Sequence, residues 1–269
     1  MAEAAEMLAQ AVAWARSAGQ IARERFGAAS VSLKADDSPV TDADHAVQAH
    51  ILNAIAAVYS DHAVVTEETV AQPERHAAFA SAEFCWVVDP IDGTRNYARH
   101  AANFAVSIAV LERGTPIIGV VYDVMTDRMY SGRAGAGACC DGTPMHVADE
   151  PPTGNTLIGT ASGRGEPMAD AVHDWFDRMT LRNLGSTELH LAMVAAGSID
   201  AAFCHSCRVW DVAAGALLVS EAGGVCTSPD GQPCFPIDAD AARLRANMPF
   251  LAAGPRLHRY LFESLRQEA

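Results

Sequence analysis

Between Ala4 and Phe26 the residues Leu8, Val12, Ala15, Gly19, Ala22 and Phe26 mark one face at alternating steps of four and three, which predicts an amphipathic helix closed by Gly27. Val31 and Leu33 suggest a short strand, and Lys34 to Pro39 a polar loop. A second helix starts at Thr41, with Val47, Ile51, Ile55 and Val58 at helical spacing and Thr41 and Asp44 at the spacing of a capping box. Ala63 to Val65 reads as a strand, and residues 71–83 as an Ala-rich loop or short helix. Phe84 to Val88 is an apolar run too short for a helix, so a buried strand is expected to end on Asp89, where Pro90 stops the ladder. Phe104, Val106, Ile108 and Val110 then recur with period two, and further strands over Ile117–Val124 and from Arg128 make an antiparallel meander.

Glu150-Pro151-Pro152-Thr153-Gly154 is the best linker, and beyond it strands and helices alternate. Strands are expected over Leu157–Ala161, Leu181–Leu184, Ile199–Cys204, Val225–Thr227 and Pro249–Ala253, and helices over Met168–Met179, Ser186–Ala196, Val212–Ala222 and up to about Arg266. The pattern divides the chain into an α+β subdomain, residues 1–150, and an α/β subdomain, residues 151–269, that completes the site.

Composition removes several function classes. With 19 basic against 33 acidic residues, a net charge of −14, the chain lacks the basic balance of nucleic-acid and anionic-membrane binders. Several of its 7 cysteines sit in apolar runs, and so large a core does not need a disulfide framework, so a reducing cytoplasm is expected. The first residues, with Glu3 and Glu6, do not resemble a signal peptide, and no stretch of about 20 apolar residues suggests a membrane span.

The chemistry gathers in Trp86-Val87-Val88-Asp89-Pro90-Ile91-Asp92-Gly93-Thr94-Arg95-Asn96. Two carboxylates on one turn at a strand end, with Gly93 allowing close approach and Thr94 opening a helical turn, suit a hard divalent cation beside a phosphate. No histidine or cysteine lies inside the acidic motifs, which argues against zinc. Three further acids have ordinary structural explanations: Asp44 as a capping-box acid, Glu67 in a solvated turn, and Asp211 as the N-cap of an apolar helix. Cys204-His205-Ser206-Cys207 has thioredoxin-like spacing but follows a strand rather than opening a helix, so the spacing is read as incidental. Arg95, Arg99, Arg164, Glu188, His205 and Arg208 are rim candidates.

The central string resembles D-P-[IL]-D-G-T-x-N-[FY], the signature of the inositol monophosphatase family of magnesium-dependent, lithium-sensitive phosphomonoesterases, with Tyr97 at the aromatic position. Val40-Thr41-Asp42-Ala43-Asp44 is similar to the family's V-T-x-x-D segment, Thr66-Glu67-Glu68 to its G-E-E, and Trp210-Asp211-Val212-Ala213-Ala214-Gly215 to its W-D-x-A-[AG]-G. Gly185-Ser186 resembles a step that touches substrate. The resemblance implies a layered αβαβα sandwich like that of inositol monophosphatase and fructose-1,6-bisphosphatase, a homodimer, and two to three Mg²⁺ ions. Glu67, Asp89 and the Ile91 carbonyl would hold one ion, Asp89, Asp92 and Asp211 a second, and Glu67 a weaker third. Glu67, Thr94 and Asp44 would be the catalytic residues acting on water. Asp92, Gly93, Thr94, Gly185, Ser186 and Arg164 would contact a small phosphorylated metabolite. Cys204 stands where inositol-specific members often carry a glutamate, and a thiol is a poor acceptor for a polyol hydroxyl. Histidinol phosphate is therefore kept as the alternative substrate to an inositol phosphate, and a regulatory scaffold as the alternative to an enzyme.

Overall fold

A computed structural model describes residues 2–34, 37–68, 78–79, 81–161, 170–237 and 246–266. The elements are α1 (Ala2–Arg25), β1 (Val31–Leu33), β2 (Pro39–Thr41), α2 (Asp42–Val58), β3 (Ala63–Thr66), β4 (Phe84–Asp92), α3 (Thr94–Ala98), β5 (Ala105–Glu112), β6 (Thr115–Asp123), β7 (Arg128–Arg133), β8 (Ala138–Cys140) and β9 (Thr143–Pro144). They continue with β10 (Leu157–Thr160), α4 (Asp170–Arg178), β11 (Thr180–Arg182), α5 (Thr187–Ala195), β12 (Ala201–Cys204), a 3₁₀ turn (Val209–Asp211), α6 (Ala213–Glu221), β13 (Val225–Thr227), β14 (Phe250–Ala253) and α7 (Pro255–Arg266).

Three apolar clusters separate five layers. Helices α1 and α2 bury Met7, Ala11, Trp14, Val47, Ile51 and Ile55 on one face of a seven-stranded sheet, ordered β3 to β9. On its other face α5 and α6 form a central helical layer, and beyond them lies a five-stranded sheet ordered β11-β10-β12-β14-β13. Its outer face packs Val172 and Trp175 of α4 and Leu257 and Leu261 of α7. This is the αβαβα sandwich. Strands β4 to β9 are the antiparallel meander, with β3 parallel to β4, and the second sheet is mixed. Among the described residues no helix is long and apolar enough to cross a membrane.

Several expectations need correction. The buried stripe of α1 runs through Met7, Ala11, Trp14, Ala18 and Ala22, while Leu8 and Val12 are only half-buried. Small residues decide the facing, because α1 lies so close to the sheet that a Cβ at Gly19 would collide with the Tyr122 ring. Pro39, expected to end a polar loop, instead opens the strand Pro39–Thr41 paired with β1, and β11 is Thr180–Arg182, short of the expected Leu184. The alternation in β5 does not separate core from solvent, since both faces are buried. Val106, Ile108 and Val110 face α1 and α2, whereas Ala105 and Ala109 face the central helices, where small side chains make room.

The strand expected to end at Asp89 continues to Asp92. Asp89 pairs with Ser107 and Asp92 with Ala105, so three steps on β4 meet two on β5, which is a β-bulge. Pro90 is accommodated in it without ending the strand. Before the bulge Cys85 and Val87 face the central layer and Trp86 and Val88 the outer helices; after it Ile91 joins the outer group, so the parity has inverted. In a regular strand residues three apart point to opposite faces, and the inversion brings Asp89 and Asp92 to the same side.

Candidate active site

Asp89, Asp92 and Asp211 each offer a carboxylate oxygen, and these ligating atoms lie within 4.8 Å of one another. Asp89 and Asp92 come from the bulge. Asp211 closes the 3₁₀ turn, where its carboxylate accepts the Arg208 N–H at 2.6 Å. Asp211 is therefore not the N-cap of α6: that position is Val212, which offers no side-chain bond.

Asp92 sits on the start of α5. Its Oδ2 accepts the Ser186 hydroxyl at 2.5 Å and the Glu188 N–H at 2.7 Å, and its Oδ1 accepts the Thr187 N–H at 3.3 Å. Ser186 is the N-cap of α5 and also accepts the Leu189 N–H at 3.2 Å. The loop before it is held by Asn96, whose amide donates to Leu184 O at 2.7 Å, and by His190 Nε2, which accepts the Leu184 N–H at 3.0 Å.

Asp44 stands behind Thr94. The capping box is present: Asp44 Oδ2 accepts from the Thr41 N–H at 2.8 Å and the Thr41 hydroxyl at 2.5 Å. Its Oδ1 lies 3.2 Å from the Thr94 hydroxyl, which also lies 2.9 Å from Ile91 O. Gly93 opens α3 at φ +97, where a Cβ would meet Asn103 O at 2.9 Å and Gly185 O at 3.2 Å. Glu67 lies at the rim and pairs with Lys34 Nζ at 2.6 Å, and the same ammonium meets Glu68 at 2.5 Å.

The electrostatics are those of crowded, buried like charge. Burial first, then Glu67, Asp92 and Asp211, push the Asp89 carboxyl well above its usual range. Burial, then Asp92 and Glu67, do the same for Asp211. Burial raises Asp92 to about 6 against the opposing bonds from Ser186, Glu188 and Thr187. Burial also raises Asp44. Burial lowers the Lys34 ammonium, but Glu67 and Glu68 outweigh it and hold the group above its ordinary value. This oxygen-only donor set of Asp89, Asp92 and Asp211, buried carboxyls crowded so closely that Asp89 and Asp211 are each pushed up by their acidic neighbours, fits hard divalent cations.

A cavity of about 680 Å³ adjoins the cluster, lined among others by Glu67, Arg95, Asn183, Gly185, His205, Arg208 and Asp211. Arg95, His205 and Arg208 thus stand at the rim as expected, while Arg99 is exposed at the end of α3. Arg164 lies outside the described residues. Glu188 is no rim residue, because it is fully buried. Cys204 is buried with its thiol donating to Ser206 O at 3.3 Å.

Sequence reasoning missed Lys34, the second role of Ser186 as a support for Asp92, and His190. Lys34 sat in a stretch read as polar loop, and no local signal marks it. Ser186 carried a legible N-cap signal, but its bond to Asp92 spans 94 positions.

The model of the Inositol monophosphatase family matches residues 3–268. The chain is 33% identical to inositol monophosphatase 1 of Sus scrofa over 238 residues, 85% of each protein. It is 32% identical to Nus factor SuhB of Escherichia coli over 275 aligned positions, covering 97% of this chain and 96% of SuhB. The structure of an inositol monophosphatase from Anabaena superposes with a TM-score of 0.80 at 30% identity, covering 100% of this chain and 98% of the other.

Proposed function

The chain belongs to the inositol monophosphatase family, and from that premise we propose that it is a Mg²⁺-dependent phosphatase of a small phosphate monoester. The observation that carries this reading is the meeting of Asp89, Asp92 and Asp211, from both sheets' surroundings, with ligating atoms within 4.8 Å. These three, with the Ile91 carbonyl and Glu67, would hold two to three Mg²⁺ ions. When bound, the ions neutralise the dianionic phosphate and lower the pKa of water at the site.

The chain's own residues supply the rest. The Thr94 hydroxyl has one proton and two acceptors in reach, Asp44 Oδ1 and Ile91 O. Donated to Asp44 Oδ1, that proton would leave the Thr94 oxygen free to accept a hydrogen bond from the attacking water, while the Ile91 carbonyl is one of the groups that would hold a cation. Asp44 is fixed for this by its two bonds to Thr41. Gly93 and Thr94 would meet the phosphate through their backbone, and Gly185 would border it. The alcohol of the substrate would occupy the cavity beside Arg95, Asn183, His205 and Arg208.

A polyol phosphate of the inositol 1-phosphate type is the first choice, supported by the similarity to a Sus scrofa protein named inositol monophosphatase 1, and histidinol phosphate is the alternative, because the buried Cys204 offers no strong acceptor to a sugar hydroxyl. A homodimer in the cytoplasm and inhibition by Li⁺ belong to the same reading. The similarity to a Nus factor over 97% of this chain favours one second reading, a regulatory scaffold acting through partners. Phosphate release from inositol 1-phosphate, histidinol phosphate, fructose 1,6-bisphosphate and adenosine 3′,5′-bisphosphate, with Mg²⁺ and with EDTA, separates the two. Mg²⁺-dependent release supports the enzyme and its best substrate names the branch; folded, Mg²⁺-binding protein that releases nothing supports the scaffold.

A further inference from the structure

Glu188 is 0% exposed, the most enclosed carboxyl group among the described residues. Its Oε1 accepts the Ser107 hydroxyl at 2.9 Å, its Oε2 accepts the Gly215 N–H at 2.7 Å, and the Ala214 N–H bonds the same carboxyl. Those two amides belong to the first turn of α6, whose donors have no partner within the helix and whose own N-cap supplies none. Gly215 makes the approach possible, since a Cβ there would stand 2.6 Å from Glu188 Oε2 and collide with Leu191. The backbone of the same glutamate faces the other way, its N–H donating to Asp92 at 2.7 Å.

We propose that Glu188 is a positioning residue that fixes the separation of Asp92 and Asp211: its amide holds the first, and its carboxyl anchors the start of the helix that follows the second. The inference rests on the reading of those two aspartates as cation ligands.

The test is the rise of the thermal midpoint during a Mg²⁺ titration, a readout independent of turnover. In Glu188→Ala the Mg²⁺ concentration for half of that rise should increase about tenfold or more, the scale on which residues supporting a ligand act. Glu188→Gln keeps an oxygen for the Gly215 amide and should stay within about threefold of wild type on the same scale. Ser107→Ala removes the side-chain partner of the carboxyl, leaves its two α6 amides, and should lower the midpoint without moving the Mg²⁺ dependence. Should Glu188→Ala fail to fold, Glu188→Met, which keeps the volume and lacks the acceptor, is read in the same way. A Glu188→Ala or Glu188→Met variant that loses stability yet titrates like wild type overturns the proposal. Wild type that gains nothing from Mg²⁺ overturns the metal reading beneath it.

Discussion

The Asp92 carboxylate and the Ser186 hydroxyl lie 2.5 Å apart across 94 positions of sequence, one at the end of a bulged strand and the other capping a helix of the central layer. The bond ties the acidic string to the second half of the chain. A hydroxyl bonded to a buried carboxylate contributes about 1.5–3 kcal/mol. Ser186→Ala should therefore weaken Mg²⁺ binding by about tenfold, as loss of a ligand's support does, and Ser186→Thr should restore part of it. Calorimetric Mg²⁺ titration of both variants checks this; unchanged affinity in Ser186→Ala would make the bond incidental.

Removing the Thr94 hydroxyl should separate chemistry from cation binding. Thr94→Val is expected to lower kcat by about 10²–10⁴, the range of a lost proton-transfer partner, while Mg²⁺ affinity stays close to wild type. Thr94→Ser should recover most of the rate. Equal losses of Mg²⁺ affinity and rate in Thr94→Val would instead place the hydroxyl in the cation site.

The carboxylate cluster sets a pH dependence of metal stabilisation. Without cations the folded protein holds protons on Asp92 up to about pH 6, and on Asp89 and Asp211 above their ordinary range. The folded state then binds more protons than the unfolded one, so these groups favour folding at low pH and lose that contribution as pH rises through their folded pKa values. Mg²⁺ competes with the same protons. The increase in thermal midpoint given by saturating Mg²⁺ should therefore grow between pH 5 and pH 8, and an increase that shrinks over that range would contradict the assignment.

His190 acts with the opposite sign. Burial lowers it to about 4, so it is neutral in the folded protein, with Nε2 accepting the Leu184 N–H and the proton on Nδ1. The unfolded chain takes up a proton near pH 6.5, and stability contributed by the neutral ring is lost as pH falls from there towards 4, by up to about 3 kcal/mol. Urea unfolding at pH 7 and pH 4.5 should show His190→Gln losing less stability on acidification than wild type. Parallel losses would remove the histidine from the account.

What the sequence made legible was local. Asp89, Asp92 and Thr94 announce themselves in one short string, and Thr41 with Asp44 forms the capping box that the spacing indicates. The five-layer sandwich followed from resemblance, not from periodicity, because β4 and β5 are buried on both faces and show no solvent side. The bulge was hidden because Pro90 reads as a strand end in one dimension, and only the pairing with β5 shows the extra residue. Asp211 looked like a helix cap because a 3₁₀ turn leading into α6 has the same pattern of one acid before an apolar run. Lys34 was missed and Glu188 misplaced for a common reason: they take their roles from partners 33 and 27 positions away in sequence, Glu67 and Gly215.

The most direct test of the central claim is phosphate release from inositol 1-phosphate by wild type and by Asp92→Asn, each with Mg²⁺ and with EDTA. Wild type is expected to release phosphate only with Mg²⁺, and Asp92→Asn to lose about 10³-fold or more, as for removal of a group that organises transition-state charge. Release by wild type that persists in EDTA, or an Asp92→Asn protein as active as wild type, would contradict the claim.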